Sequence, residues 1–146
     1  MSSHPEELLP AALPLIAVAG LSAKSSRPSH EVAQYMQSQG FRIIPVNPMY
    51  AGTYILGELC YASLHEAEVA LAAEDLKIGI VDCFRKSSEV GAIVDEAIAL
   101  GVPCVWLQLG VIDEAAAARA RAAGMTVIMD RCIKIEHAHG NMHGVL

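Results

Sequence analysis

The chain has 146 residues, 53% of them hydrophobic and 18% charged, with a formal net charge of −6. That size suits one domain with a continuous core, and the composition excludes a disordered polymer, a membrane span of eighteen or so apolar residues, and a general nucleic-acid surface. The start, Met1 to Glu7, lacks the basic-then-apolar pattern of a secretory leader, and the four cysteines (Cys60, Cys83, Cys104, Cys132) include no CxxC pair, so a cytoplasmic protein with reduced thiols is expected.

Residues 1–13 read as a loosely attached arm, because Pro5, Pro10 and Pro14 deny it a regular helix. Leu15 to Ala19 is a short apolar run bounded by Pro14 and Gly20, the pattern of a fully buried strand. A polar loop follows, with Gly20, Lys24, Arg27, Pro28 and the serines 22, 25, 26 and 29. Val32, Tyr35 and Met36 then recur at helical spacing up to Gly40. Phe41 to Val46 reads as strand two, ending at Asn47-Pro48, with Pro45 near the strand's end or at a bulge. Met49 to Tyr61, with two glycines, is expected as a loop over the sheet edge.

Ser63-Leu-His-Glu66 has capping-box spacing and starts a helix to about Ala73. Ile78 to Phe84 is strand three. Ser87 or Ser88 is expected to cap an amphipathic helix carrying Val90, Ile93, Val94, Ala97 and Ile98 on one face and stopping at Gly101. Val102 to Gln108 is strand four. Asp113 caps an alanine-rich helix to Ala123, stopped by Gly124, and Thr126 to Asp130 is strand five. Residues 137–146 read as a flexible or subunit-contacting tail. Its alternate histidines do not complete a structural zinc sphere, so no metal site is assigned.

Apolar strands alternating with helices give an α/β, Rossmann-like, doubly wound five-stranded parallel sheet over residues 14–136, with helices on both faces and the expected order 3-2-1-4-5. Ligands in such sheets lie beyond the carboxyl ends of the strands. Six of the ten Lys and Arg residues fall just after strands (Lys24, Arg27, Arg85, Lys86, Arg131, Lys134), which predicts a local anion site on an acidic body. The dinucleotide fingerprint is missing: Gly20 has no second and third glycine, Asn47-Pro48 replaces the ribose-binding acid, and no Walker loop occurs. A cradle of cations, hydroxyls and a helix N-terminus suits a phosphate.

Ile16 to Ser22 with Arg27-Pro-Ser-His-Glu-Val32 closely resembles the small CoA-binding proteins of bacteria. So do Ile44 to Pro48, Val81 to Arg85, Val105 to Gly110 and Met129 to Lys134. That family is a stand-alone version of the CoA-binding domain of succinate–CoA ligase alpha subunits, and the resemblance spans about Leu15 to Glu136. It implies coenzyme A as ligand, with Gly20, Leu21, Ser22 and Lys24 around the phosphates and Arg27, Ser29 and His30 completing the cradle. Val46, Asn47 and Pro48 would flank the adenosine, with Phe84 and Arg85 on its other side. Trp106, Gln108, Leu109, Gly110, Arg131 and Cys132 would bound the pantetheine end.

Each residue also has a structural reading. Trp106 suits a core position, Asp82 a hydrogen-bonded buried carboxylate, and His30 a simple helix cap. Cys132 suits a passive thiol, set against a mixed disulfide with the CoA thiol. The ligase's phosphorylatable histidine loop and its partner domain have no counterpart here, and no G-x-S-x-G elbow occurs. Non-catalytic binding of CoA or a short acyl-CoA is therefore expected, with no catalytic residue assigned. The alternative is an enzyme or subunit using a nucleotide cofactor, NAD-linked or acyl-transferring, with a partner outside this chain. A purely structural subunit would leave the six cations unexplained. The apolar composition leaves room for a homodimer.

Overall fold

A computed structural model describes residues 13–142 and 144–146, so the arm expected over residues 1–13 lies, Leu13 apart, outside the described residues. The apolar runs become strands β1 (Leu15–Ala19), β2 (Ile43–Val46), β5 (Ile78–Cys83), β6 (Cys104–Leu107) and β7 (Thr126–Ile128), all parallel. Period-2 alternation sends Ile16, Val18, Ile80 and Trp106 to one core and Ala17, Val81, Cys83 and Val105 to the other. Helices α1 (Pro28–Ser38) and α5 (Ile133–Ala138) cover the first core through Val32, Met36 and Ile133. Helices α2 (Leu64–Ala72), α3 (Val90–Leu100) and α4 (Glu114–Ala122) cover the second through Leu64, Val94 and Ala116. Among the described residues no helix is long and apolar enough to cross a membrane.

The α/β doubly wound class is as expected, but the strand order is not. The sheet runs β2-β1-β5-β6-β7, so the third major strand lies beside the first and not outside the second. The outer side of β2 is already taken. Tyr61 donates its N–H to Pro45 O at 3.0 Å and accepts from Asn47 N at 2.9 Å. Pro45 faces its missing N–H toward that outer edge, where proline is tolerated. β5, buried along nearly all its length, takes the central position between β1 and β6.

Other details also differ. Within the expected loop, β3 (Tyr54–Ile55) and β4 (Glu58–Leu59) form a two-residue hairpin whose central residues, Leu56 and Gly57, both have positive φ (53° and 80°). Neither Ser87 nor Ser88 caps α3, whose N-cap is Glu89 without a side-chain bond. Ser87 Oγ instead accepts from Ile112 N at 2.9 Å and ties two loops together. Asp113 and Ser63 do cap, accepting from Ala116 N and Glu66 N at 2.9 and 3.1 Å.

Part of the segment read as a flexible or subunit-contacting tail packs on the domain. His137 Nδ1 lies 3.0 Å from Tyr35 Oη, its ring meets Tyr35 and Phe41 edge-on at 5.6 Å, and Met142 is buried in the α1 core. The four cysteines are unpaired, and three of them (Cys60, Cys83, Cys104) are buried.

Candidate functional site

The observed strand order decides the site, because it sets the end of β5 directly against the loop after β1. Phe84 N donates to Ala19 O at 2.9 Å. Gly20 has φ +91°, and a Cβ there would stand 2.8 Å from Arg85 Cδ and 2.9 Å from Phe84 O. Glycine is thus required both by conformation and by the close approach of a second backbone. Gly20 N donates to Val46 O at 2.8 Å, and Asn47 Nδ2 donates to Leu21 O at 3.1 Å. The ends of β2, β1 and β5 are bound into one rigid crest.

Beyond that crest, the loop to α1 is braced by its own serines. Ser22 N donates to the buried Ser29 Oγ at 3.0 Å, and Lys24 N donates to Ser22 Oγ at 3.1 Å. Among the described residues, the N–H groups of Ala23, Ser25 and Ser26 meet no protein acceptor, and Lys24 and Arg27 are exposed with no carboxylate partner. Free N–H groups, two cations and a helix N-terminus together favour a bound anion.

Two cavities flank the crest. The first, about 250 Å³, is walled by Gly20, Val46, Pro48, Ala62, Ser63, Leu64, Arg85, Glu89, Ile93 and Glu96. Glu96 accepts from Leu64 N and His65 N at 3.3 and 3.1 Å, which satisfies the orphan donors of α2. Arg85 Nη2 donates to Glu89 at 3.0 Å, and that hydrogen bond and charge hold the Glu89 carboxyl below its ordinary range. Two carboxylates repel a phosphate here but accept from the amino group of a base.

The second cavity, about 380 Å³, is walled by Val32, Phe84, Arg85, Lys86, Gln108, Leu109, Val111, Cys132 and Ile135. Arg85 borders both cavities. Beneath the second, Gln108 Nε2 donates to the buried Asp82 Oδ1 at 2.6 Å. Burial raises the Asp82 carboxyl to about 7 against the lowering effect of that bond. Burial also drives the Cys83 thiol strongly upward and pushes that of Cys104 up to about 12, both with a smaller contribution from the Asp82 charge.

The structure therefore brings Gly20, Val46, Pro48 and Arg85 into one cavity and Phe84, Arg85, Gln108, Leu109 and Cys132 into the next. Leu21 and Asn47 are buried, and Asn47 acts as a tie between loops. His30 is buried with its Nδ1 unpartnered among the described residues. Of its two readings, Trp106 takes the core position: it is 1% exposed, and its indole N–H donates to Arg131 O at 2.9 Å. Arg131 itself faces a separate recess near β7, and the Gly110 N–H is taken by Asp130 Oδ1 at 2.7 Å. Of the six cations after strands, Arg85, Arg131 and Lys134 hold carboxylates (Glu89, Glu136, Glu31) at 3.0, 3.4 and 3.0 Å. Ala62 to Leu64, Glu89 and Glu96 were not foreseen. Only the Ser63 cap signalled that region, and it signalled a helix start.

The family model of the CoA binding domain matches residues 15–138. This chain belongs to that family. The CoA-binding domain here is 40% identical over 123 residues to the protein YneT of Bacillus subtilis (strain 168), covering 84% of each chain. A solved Thermus thermophilus structure is 36% identical with a TM-score of 0.75, covering 87% of this chain and 90% of that one. A hypothetical protein from Pyrococcus horikoshii OT3 is 33% identical with a TM-score of 0.76, covering 87% and 83%.

Proposed function

We propose that this CoA-binding domain holds coenzyme A reversibly, without chemistry of its own, across the carboxyl edge of its sheet. The observation that carries the reading is Arg85, which borders both cavities. A molecule filling both must cross its guanidinium. That molecule needs a base at one end, anionic charge in the middle and a mostly apolar arm at the other. Coenzyme A has this order. Its adenine enters the first cavity, where Glu89 and Glu96 suit an amino group. Its phosphates meet Lys24, Arg27, Arg85 and the free N–H groups of the Ser22–Arg27 loop, and its pantetheine arm runs over Phe84 into the second cavity. His30 and Ser29 brace the start of α1 beneath the phosphates.

The test is thermal unfolding of the full chain with CoA, acetyl-CoA, NAD or ATP at about 100 times the dissociation constant. Binding at that level adds about 2.7 kcal/mol, and roughly 2–4 °C per kcal/mol gives a rise of about 5–10 °C. The expected result is a rise with CoA, lost in Arg27→Ala, and acetyl-CoA recovered chemically unchanged after long incubation. A rise with NAD alone overturns the ligand, and released CoA from acetyl-CoA overturns the non-catalytic role.

A further inference from the structure

We infer that the second cavity is an acyl site, which takes the apolar chain of an acyl-CoA thioester in preference to the bare thiol of CoA. This inference rests on the coenzyme reading above and names the form of the ligand.

Free CoA ends in a small thiol that needs no apolar enclosure. The cavity, at about 380 Å³, has room for a short acyl chain beside the thiol end of the pantetheine arm. Its rims carry two large apolar side chains on an edge otherwise rich in cations: Leu109 is 67% exposed just after β6, and Ile135 is 47% exposed on α5. Exposed apolar side chains lining one cleft mark a surface built to be covered. Arg85 lines this cavity and the nucleotide side alike, which says what covers it: the far end of the same ligand.

Polar groups are placed for a thioester as well. Among the described residues, the wall's polar members besides the cationic rim are Gln108 and Cys132. One N–H of the Gln108 amide is committed to Asp82 at 2.6 Å. The second N–H, which has no protein partner among the described residues, suits a carbonyl oxygen, which an acyl thioester has at the junction of arm and chain and free CoA lacks. Past that carbonyl the chain meets Ile135 and Leu109, which set the length accepted.

The experiment is titration calorimetry of the full chain with CoA, acetyl-CoA, butyryl-CoA and hexanoyl-CoA. A fully buried methylene is worth about fourfold in affinity, so a half-buried one gives about twofold. The Kd is expected to fall about two- to fourfold per methylene from acetyl to butyryl. In Ile135→Trp, which fills the cavity, the ratio of CoA to butyryl-CoA dissociation constants is expected to collapse to within about twofold of one. Leu109→Asp, at an exposed rim position that leaves packing intact, is expected to reduce the same ratio.

Equal affinity of the wild-type chain for CoA and butyryl-CoA overturns the acyl site while leaving the coenzyme reading standing. A chain-length gradient that survives both substitutions also overturns it. Absence of binding by all four ligands removes the coenzyme reading and the acyl site with it.

Discussion

Arg85→Ala is the substitution whose effect follows most directly from the geometry. Arg85 stands between the two cavities, with its Cδ stacked over Gly20 and its guanidinium 3.0 Å from Glu89. A hydrogen bond from a charged donor to phosphate is worth about 1.5–3 kcal/mol, so truncation should weaken CoA binding about 10- to 100-fold. The Glu89 pair that the ligand must displace is exposed, with side chains 37% and 44% accessible, and exposed pairs are weak. It offsets little of the loss, and the fold should hardly notice its removal. Titration calorimetry of both proteins with CoA and with 3′-dephospho-CoA separates the roles. Equal loss for both ligands assigns Arg85 to the pyrophosphate; loss for CoA alone assigns it to the 3′-phosphate. If Arg85→Ala binds both ligands within about twofold of the wild type, the crossing at Arg85 is refuted.

Four further outcomes are expected. Glu89→Gln frees the guanidinium and keeps an amide oxygen to accept from the amino group of the base, so it should tighten CoA binding about two- to threefold in the same titrations. Gly20→Ala combines a positive φ with contacts under 3.0 Å to Phe84 O and Arg85 Cδ; strain of about 1–3 kcal/mol should lower the melting temperature by roughly 2–12 °C in calorimetry. Asp82, held at about 7, keeps a proton in the folded state that the unfolded chain releases near pH 4. Its contribution is therefore fully present below pH 4 and lost as pH rises to 7, a fall of about 4 kcal/mol at most. Urea melts at pH 5 and pH 8 should show a slope in the wild type that Asp82→Asn lacks, and parallel slopes would mean ordinary ionisation. His137→Ala removes a 3.0 Å hydrogen bond and two edge-on ring contacts, so it should cost about 1–2 kcal/mol and speed amide exchange in α5.

The crest was legible because its residue types declare themselves. A glycine between an apolar strand and a cationic loop, with Arg27-Pro28 at the helix start, can be read at one place in the chain. Arg85 could be named from sequence, but its position could not. That depends on strand order: β5 pairs with β1 while Tyr61 takes the outer edge of β2, and such backbone bonds leave no trace in side-chain pattern. Glu96 was invisible for a related reason: it caps α2 from another helix, 32 and 31 residues away from its donors. The hairpin turn at Leu56-Gly57 carries none of the Asn-Gly or Asp-Gly signals that such turns favour. The docking of the last helix was hidden because a six-residue helix is too short to show a period. His137 therefore looked like a tail residue until Tyr35 and Phe41 were found around it.

Pro45 has a consequence for how copies of this chain meet. A sheet in a protein that is 53% hydrophobic invites growth by strand addition at its borders. On one border an approaching strand finds proline instead of a donor, and Tyr61 already occupies the neighbouring groups. On the other it finds β7, only three residues long. Among the described residues neither border offers a template for a lengthening ribbon. Any pairing of two copies is therefore steered to helix faces and side chains, and the carboxyl edge stays available to the proposed coenzyme.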